Sequence, residues 1–178
     1  MSGNLSLKTV FKQDLTQTES SEILALCSQA YEEDYAPYLE TFEDACHILA
    51  HLDGRLVSHA LWITRWLQID SGPLLRSAYV EGVATDAHYR SRGFASAVME
   101  RLAKEIIDYE IGGLSPAETS LYSRLGWEFW QGPLFHRKGG ELIRDPADEA
   151  IMILRLPQTP DLDLTQPISV EWRQGEVW

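Results

Sequence analysis

Two arginines and a glycine at the start of a predicted helix form the segment of this chain best suited to bind an anion. Arg90–Ala95 follows the alternating strand Tyr79–Ala84, and its glycine is Gly93. Apolar residues then recur at helical spacing, so the helix should begin at about Gly93; they are Phe94, Ala97, Val98, Leu102, Ile106 and Tyr109. The first amides, the helix dipole and the arginines together favour a phosphate or pyrophosphate. A solvated basic helix start is the open alternative.

A glutamate on the preceding strand is the first candidate for proton transfer. Alternation places Glu81 on one strand face with Leu75, Ser77, Tyr79 and Val83. Partial desolvation by the apolar neighbours should raise the pKa of this carboxyl, which suits a base that works near neutral pH. The alternative is a surface glutamate on an edge strand.

A tyrosine on a later predicted helix, Ser115–Leu125, is the second candidate. Leu121 and Tyr122 fall next to Leu125 on that helix. On spacing alone this predicts a packed aromatic ring with its hydroxyl at the surface.

The elements around these residues alternate between helix and strand patterns and predict an α+β fold. A capping box at Thr16–Glu19 opens a helix whose buried face includes Cys27. Asp53-Gly54 predicts a two-residue hairpin between strands Cys46–Leu52 and Arg55–Ile69. The other predicted strands are Leu5–Phe11, Leu75–Thr85, Ile111–Leu114, Trp127–Trp130 and Ile151–Leu156, with a loop or short helix at Glu32–Tyr38.

Composition and charge limit what the chain can bind. Its 178 residues, 44% hydrophobic, predict one domain, and a net charge of −12 disfavours nucleic acid and anionic membranes while favouring a cationic ligand. Cys27 and Cys46 lack the spacing of metal ligands, so we expect free buried thiols and no metal. Without an apolar signal segment or an apolar run long enough to span a membrane, we expect a cytoplasmic protein.

Two motifs resemble those of the GNAT superfamily of acetyl-CoA-dependent N-acyltransferases. Arg90–Ala95 fits the pattern Gln/Arg-x-x-Gly-x-Gly/Ala that follows a central strand, and Leu121–Trp127 resembles the later Leu-Tyr-x-x-x-Gly-aromatic element. The resemblance implies a GNAT fold, a mixed and largely antiparallel sheet flanked by helices and splayed around the acetyl-CoA site. It also implies that the Tyr122 phenol protonates the departing coenzyme A thiolate.

Within the superfamily, two segments resemble the aminoglycoside 2′-N-acetyltransferases. They are Tyr79–Ala84 and the ending Glu171–Trp178, which is similar to Asp-Trp-Arg-x-Gly-Asp-Val-Trp. This resemblance implies direct transfer of an acetyl group, in a ternary complex, to a primary amine of an aminoglycoside. The 2′-amine is the expected position, and antibiotic resistance is the expected outcome. The expected partners are acetyl-CoA and a polycationic aminoglycoside, with a homodimer left open.

The same resemblance implies a set of site residues, with Glu81 as the base and Tyr122 as the acid. The cofactor-binding residues would be Val83, Ala84, Thr85, Arg90, Ser91, Arg92, Gly93, Phe94 and Ala95. The substrate-binding residues would be Asp34 or its neighbour Glu33, Glu81, Gly82, Ser115, Asp148, Glu176 and the carboxylate of Trp178. Further carboxylates that could hold a polycation by charge-assisted hydrogen bonds are Glu32, Asp145 and Glu149.

The segment 157–178 supports two opposite expectations. Its prolines and weak periodicity are typical of a loose tail, yet its last eight residues contain two tryptophans. We hypothesise that Trp172 anchors this tail, that Gly175 bends it, and that Glu176 and Trp178 contact the substrate.

Two other functions stay open at this point. The chain could acetylate a different cationic amine, such as a polyamine or an amino sugar. It could also be a non-catalytic module that binds acyl-CoA or a drug, although the presence of both Glu81 and Tyr122 argues against that alternative.

Overall fold

The computed structural model describes residues 3–146 and 149–178. Its internal contacts divide the chain into two compact units. The first unit is the chain up to Ile63 together with Val80–Glu105, and the second is Thr64–Tyr79 together with Ile106–Trp178. The expectation of a single domain therefore stays a prediction. In the described part of the chain, none of the helices has both the length and the apolar character needed to cross a bilayer.

Four α-helices, two short 3-10 helices (Lys12–Asp14 and Ala87–Tyr89) and ten strands make up the regular structure of the described residues. The α-helices are α1 (Gln17–Tyr31), α2 (Ala36–Thr41), α3 (Phe94–Glu105) and α4 (Ser120–Arg124). The first five strands are β1 (Leu5–Phe11), β2 (Cys46–Leu52), β3 (Arg55–Ile69), β4 (Leu74–Thr85) and β5 (Ile111–Leu114). The others are β6 (Glu128–Phe129), β7 (Leu134–Lys138), β8 (Glu141–Arg144), β9 (Met152–Arg155) and β10 (Ile168–Glu171).

The first unit is built on an antiparallel ladder of β1, β2 and β3. Asp53 and Gly54, which connect β2 to β3, both have positive φ, +50° and +84°. These values are typical of a type I′ hairpin turn, so the predicted hairpin is confirmed. The capping box of α1 is also present, because Thr16 Oγ1 accepts from the Glu19 amide while the Glu19 side chain accepts from the Thr16 amide.

The second unit contains six whole strands and the parts of β3 and β4 that lie within Thr64–Tyr79, in the order β6-β9-β5-β4-β3-β10-β7-β8. The pairings of β4 with β5 and of β10 with β7 are parallel, whereas β3 with β10, β5 with β9, β6 with β9 and β7 with β8 are antiparallel. The predicted fold class, a mixed and largely antiparallel sheet with flanking helices, is therefore confirmed. Close packing in this sheet needs Gly113, because a Cβ atom there would lie 2.9 Å from Cδ2 of Tyr79.

Two sequence expectations about secondary structure are wrong, and one hairpin was missed. The helix predicted for Ser115–Leu125 begins only at Ser120, since Glu118 accepts hydrogen bonds from both the amide and the hydroxyl of Ser120 and holds a turn ahead of it. The supposed tail contains β10, whose four residues pair with both β3 and β7. The hairpin of β7 and β8 was not predicted at all.

The end of the chain is anchored by Trp178. The sequence had suggested Trp172 for this role. Trp178 is 4% exposed and its indole Nε1 donates to Asp145 Oδ2 at 2.7 Å, whereas Trp172 is 42% exposed. The predicted bend at Gly175 is confirmed by its φ of +89°. Buried Arg65 fixes the same segment, because its guanidinium donates to the carbonyl oxygens of Glu171 and Val177.

Replacing Trp178 by alanine should therefore destabilise the protein. We expect the free energy of unfolding to fall by about 3 kcal/mol, the low end for deleting a buried tryptophan, because the released segment regains conformational entropy. Urea denaturation followed by circular dichroism measures this. Trp172→Ala is the matched control and should cost much less; equal losses for the two variants would contradict the anchoring role of Trp178.

Candidate active site

The predicted base lies beside an irregularity in β4. Gly82 has a φ of +58°, a left-handed conformation that a strand interior normally excludes. Such a glycine is typical of a bulge that redirects the neighbouring side chains. Glu81 and Val83 are half-buried, while Gly82 and Ala84 on either side of Val83 are fully buried. The partial burial predicted for Glu81 is therefore confirmed, and its role as a base stays a prediction.

Side chains fix the backbone of β4 after Glu81. Each of the four carbonyl oxygens from Gly82 to Thr85 accepts a hydrogen bond from a side chain. The donors, in order, are His59 Nδ1 at 2.8 Å, the Tyr31 hydroxyl at 3.2 Å, Ser58 Oγ at 3.0 Å and Arg90 Nε at 3.5 Å. The described pairing of β4 with β5 covers only Ser77–Tyr79. Gly82–Thr85 thus has a backbone that is fixed by side chains, and ligand binding along this strand edge stays a prediction.

The loop that precedes α3 has the conformation expected of an anion site. Ser91 and Gly93 have φ of +59° and +85°, and α3 then begins at Phe94 with a hydrogen bond from the Ala97 amide to the Gly93 carbonyl. Arg90, Ser91, Arg92 and Gly93 are exposed, whereas Phe94 is buried. The helix start is thus confirmed at the predicted place, and phosphate binding by this loop stays a prediction.

Tyr122, in the second unit, is a packed aromatic whose phenol remains protonated. Its ring meets Trp127 edge to face, with centroids 6.3 Å apart. Burial, and then the charge of Glu118, raise the pKa of Tyr122 to about 12. The phenol can therefore donate a hydrogen bond throughout the neutral range.

The predicted substrate-binding residues are divided between the units. Asp34 and Glu33 are exposed in the first unit, where Asp34 Oδ1 accepts from the Ala36 amide and Glu33 Oε2 accepts from the Tyr38 hydroxyl. Ser115 and Glu176 are exposed in the second unit. Asp148 lies outside the described residues.

Asp145 is engaged in structure, in contrast to its expected availability to a substrate. Its Oδ1 accepts from His136 Nδ1 at 2.6 Å and its Oδ2 from the Trp178 indole. Both oxygens therefore hold β7 and the end of the chain together. The buried side chain of Trp178 has the same anchoring role, and substrate contact by its carboxylate stays a prediction.

A buried pair of histidines lies beneath Gly82 of β4 and was not predicted. His59 is 0% exposed and His47 is 3% exposed, and the ring nitrogens His47 Nδ1 and His59 Nε2 are 2.9 Å apart. Burial is the main cause that lowers the pKa of His47 to about 3 and of His59 to about 4. The available signal was their position inside the apolar runs Cys46–Ala50 and Val57–Leu61.

The described residues contain two free cysteines, Cys27 and Cys46, and both are buried as predicted. Burial raises the pKa of the Cys27 thiol to about 12, which leaves it unreactive at neutral pH. Across residues 3–146 and 149–178, no three or more histidine, cysteine, aspartate or glutamate side chains gather as a metal site would require.

Comparison with known proteins identifies the family of this chain. Residues 11–130 match the acetyltransferase (GNAT) domain family. Over 178 aligned residues the chain is 30% identical to an aminoglycoside 2′-N-acetyltransferase of Mycolicibacterium fortuitum, with 96% of this chain and 91% of that protein covered. The chain therefore belongs to the GNAT family of acetyltransferases, which use acetyl-CoA as acetyl donor.

Solved structures show the same fold at lower sequence identity. GNAT family N-acetyltransferase YhbS of Escherichia coli, in complex with CoA, matches with a TM-score of 0.64 at 17% identity, over 96% of this chain and 92% of that one. Eis1 of Mycobacterium abscessus matches with a TM-score of 0.63 at 19% identity, over 74% of this chain. The chain spans 33% of the length of Eis1. These likenesses support the fold alone.

The histidine pair should make the protein sensitive to acid well above pH 4. Both pKa values lie below the ordinary 6.5, so the unfolded chain binds more protons as the pH falls below about 6.5. Stability from this pair is complete above that pH and should be lost at up to about 1.4 kcal/mol per pH unit for each histidine.

Urea unfolding between pH 7.5 and pH 4.5 measures this dependence. His47→Leu should have a clearly shallower slope than the wild type, because one of the two histidines is gone. His88 is exposed, so His88→Gln is the control and should leave the slope as it is. An unchanged slope in His47→Leu would contradict the assignment.

Proposed function

We propose that this acetyltransferase transfers the acetyl group of acetyl-CoA to a primary amine of aminoglycosides, with the 2′-amine as acceptor and resistance to the antibiotic as the outcome. The observation that carries the proposal is the half-buried Glu81 directly before the left-handed Gly82 of β4, where side chains hold the backbone of Gly82–Thr85. The similarity to the aminoglycoside 2′-N-acetyltransferase over nearly the whole chain supports the choice of substrate.

Acetyl-CoA binding is assigned to the strand edge and the loop before α3. The amides of the pantetheine arm would add to the backbone of Val83, Ala84 and Thr85. The pyrophosphate would meet the first amides of α3, at Phe94 and Ala95, with the loop residues Arg90, Ser91, Arg92 and Gly93 around it. With the pyrophosphate at α3 and the pantetheine arm along β4, the thioester at the end of that arm would lie near Glu81.

Proton transfer at the acceptor amine is assigned to Glu81. The ammonium of the substrate gives a proton, directly or through water, to the Glu81 carboxylate. The freed nitrogen lone pair attacks the thioester carbon and the C–N bond forms. The nitrogen then loses its second proton to solvent, and the C–S bond breaks. The electron pair of that bond leaves on the coenzyme A sulfur.

Tyr122 assists the departing sulfur mainly as a hydrogen-bond donor. A thiol has a pKa of about 8.5, whereas that of the Tyr122 phenol is raised to about 12. Complete proton transfer from the phenol to the thiolate is therefore unfavourable. The thiolate instead receives the proton that Glu81 accepted, by way of solvent, and becomes the neutral thiol. The phenol stabilises the negative charge as the charge develops.

Charge favours a polycationic acceptor. The net charge of −12 attracts cations over the whole surface. The exposed carboxylates of Glu33, Asp34 and Glu176 are proposed as residues that bind ammonium groups of the drug. Asp148 is proposed with them on the resemblance alone.

Incubation of the protein with acetyl-CoA and a panel of aminoglycosides tests the proposal. Mass spectrometry should show the gain of one acetyl group on drugs with a free 2′-amine, and drugs without that amine should stay unmodified. Glu81→Gln should bind acetyl-CoA normally and acetylate slowly. Acetylation confined to small polyamines would overturn the substrate, and binding of either ligand without any transfer would overturn the activity.

Removing the Tyr122 hydroxyl should slow transfer without stopping it. Tyr122→Phe should lower kcat by about 10 to 1,000-fold, because the departing thiolate loses one stabilising hydrogen bond. The KM values for both substrates should change little. Steady-state kinetics with a thiol-reactive dye measures this, and a wild-type kcat at saturation would show that Tyr122 is a packing residue only.

A further inference from the structure

The turned peptide that follows Glu81 is held by a hydrogen bond from the buried core. His59 Nδ1 donates to the Gly82 carbonyl at 2.8 Å, and the Cys27 thiol lies 3.9 Å from the same oxygen. A Cβ atom on Gly82 would lie 3.4 Å from His59 Cε1, so ring and backbone are in close contact. The left-handed conformation of Gly82 thus comes with a side chain that specifically binds its carbonyl.

The hydrogen-bond directions in this cluster follow from the chemistry of its atoms. A carbonyl oxygen only accepts, so His59 must carry its proton on Nδ1, and its Nε2 is then an acceptor. The partner nitrogen, His47 Nδ1, must donate to it. Both rings are neutral, in agreement with their lowered pKa values. His47 Nε2 is left as a buried lone pair without a hydrogen-bonding partner among the described residues.

This arrangement is a costly way to fill a core. A buried polar atom without a partner destabilises the folded state, and apolar side chains of similar size would pack there without that loss. The stability of the fold alone therefore gives no reason for two imidazoles at these positions. Orientation of the Gly82 carbonyl is the one specific result that the pair achieves.

The orientation of that carbonyl also determines the direction of the next amide. In a trans peptide the C=O and the following N–H point in opposite directions. Because the Gly82 carbonyl points to His59 inside the first unit, the amide of Val83 points away from that core. Val83 contributes this amide and Glu81 precedes Gly82, and both residues are half-buried.

We propose that His59 is a positioning residue for acetyl transfer, which holds the Gly82–Val83 peptide so that the Val83 amide faces the thioester carbonyl beside Glu81. This inference rests on the proposed placement of the acetyl group at Glu81. The Val83 amide then stabilises the oxyanion that forms when the amine adds to the carbonyl carbon. His59 touches neither substrate and acts only through the backbone.

Three variants separate this role from a purely structural one. His59→Leu removes the donor to Gly82. His59→Asn keeps a donor, because the asparagine Nδ2 occupies nearly the place of the histidine Nδ1. His47→Leu is the matched control, since it removes a buried imidazole from the same chain of hydrogen bonds and leaves the bond to Gly82 in place.

The expected result is a loss of kcat in His59→Leu of about 10 to 1,000-fold, the range for an oxyanion donor that is lost or misdirected. Its affinity for free CoA, which has no acetyl group, should be unchanged. His59→Asn should recover most of the rate, and His47→Leu should keep it. Equal rates in His59→Leu and His47→Leu, or a parallel loss of CoA affinity in His59→Leu, would overturn the proposal.

A spectroscopic measurement needs neither an acceptor amine nor a stable His59→Leu variant. Isotope-edited infrared spectra of acetyl-CoA labelled with ¹³C at the carbonyl should show a lower stretching frequency when it is bound to the wild type than when it is free. The same shift in His47→Leu and a smaller one in His59→Asn are expected. An unshifted carbonyl in the wild type would overturn the role of the Val83 amide. Because no acceptor is present, the outcome is independent of whether aminoglycosides are the substrate.

Discussion

The conformation of β4 at Gly82 is the constraint on which the candidate site depends. A strand that stays regular offers its backbone to neighbouring strands on both edges, and it would leave nothing for a ligand. Here β4 pairs with β5 at Ser77–Tyr79 and then passes through a left-handed glycine. Beyond that point its carbonyls bind side chains, so this part of the strand has a fixed backbone.

The side chains that order this part of β4 lower the stability of the first unit, because they are polar groups in its core. His59 and Ser58, on the neighbouring strand β3, are both fully buried, and both donate to β4 carbonyls. Polar side chains in these positions contribute less to stability than apolar ones would. They give the backbone one conformation, and a backbone that is fixed before the ligand binds loses little entropy on binding.

In the second unit, polar contacts have a different role: they hold the last residues of the chain in place. Arg65 is 2% exposed and donates hydrogen bonds to Glu171 and Val177. Asp145 accepts hydrogen bonds from His136 and Trp178. Charged groups are costly to bury unless they are fully hydrogen-bonded. Their satisfaction here means that Glu176 is presented by an ordered segment, even though its own side chain is exposed.

The sequence by itself determined the features that depend on near neighbours: the capping box of α1, the turn at Asp53-Gly54, the start of α3 and the family that two motifs indicate. The tertiary structure decided that Trp178 and not Trp172 is buried, that Asp145 binds His136 and the Trp178 indole, and that His59 lies beneath Gly82. Capping and turn signals involve residues two to four positions apart, which the sequence shows directly. The contact between Trp178 and Asp145 joins residues 33 positions apart, and only packing of the folded chain chooses such partners.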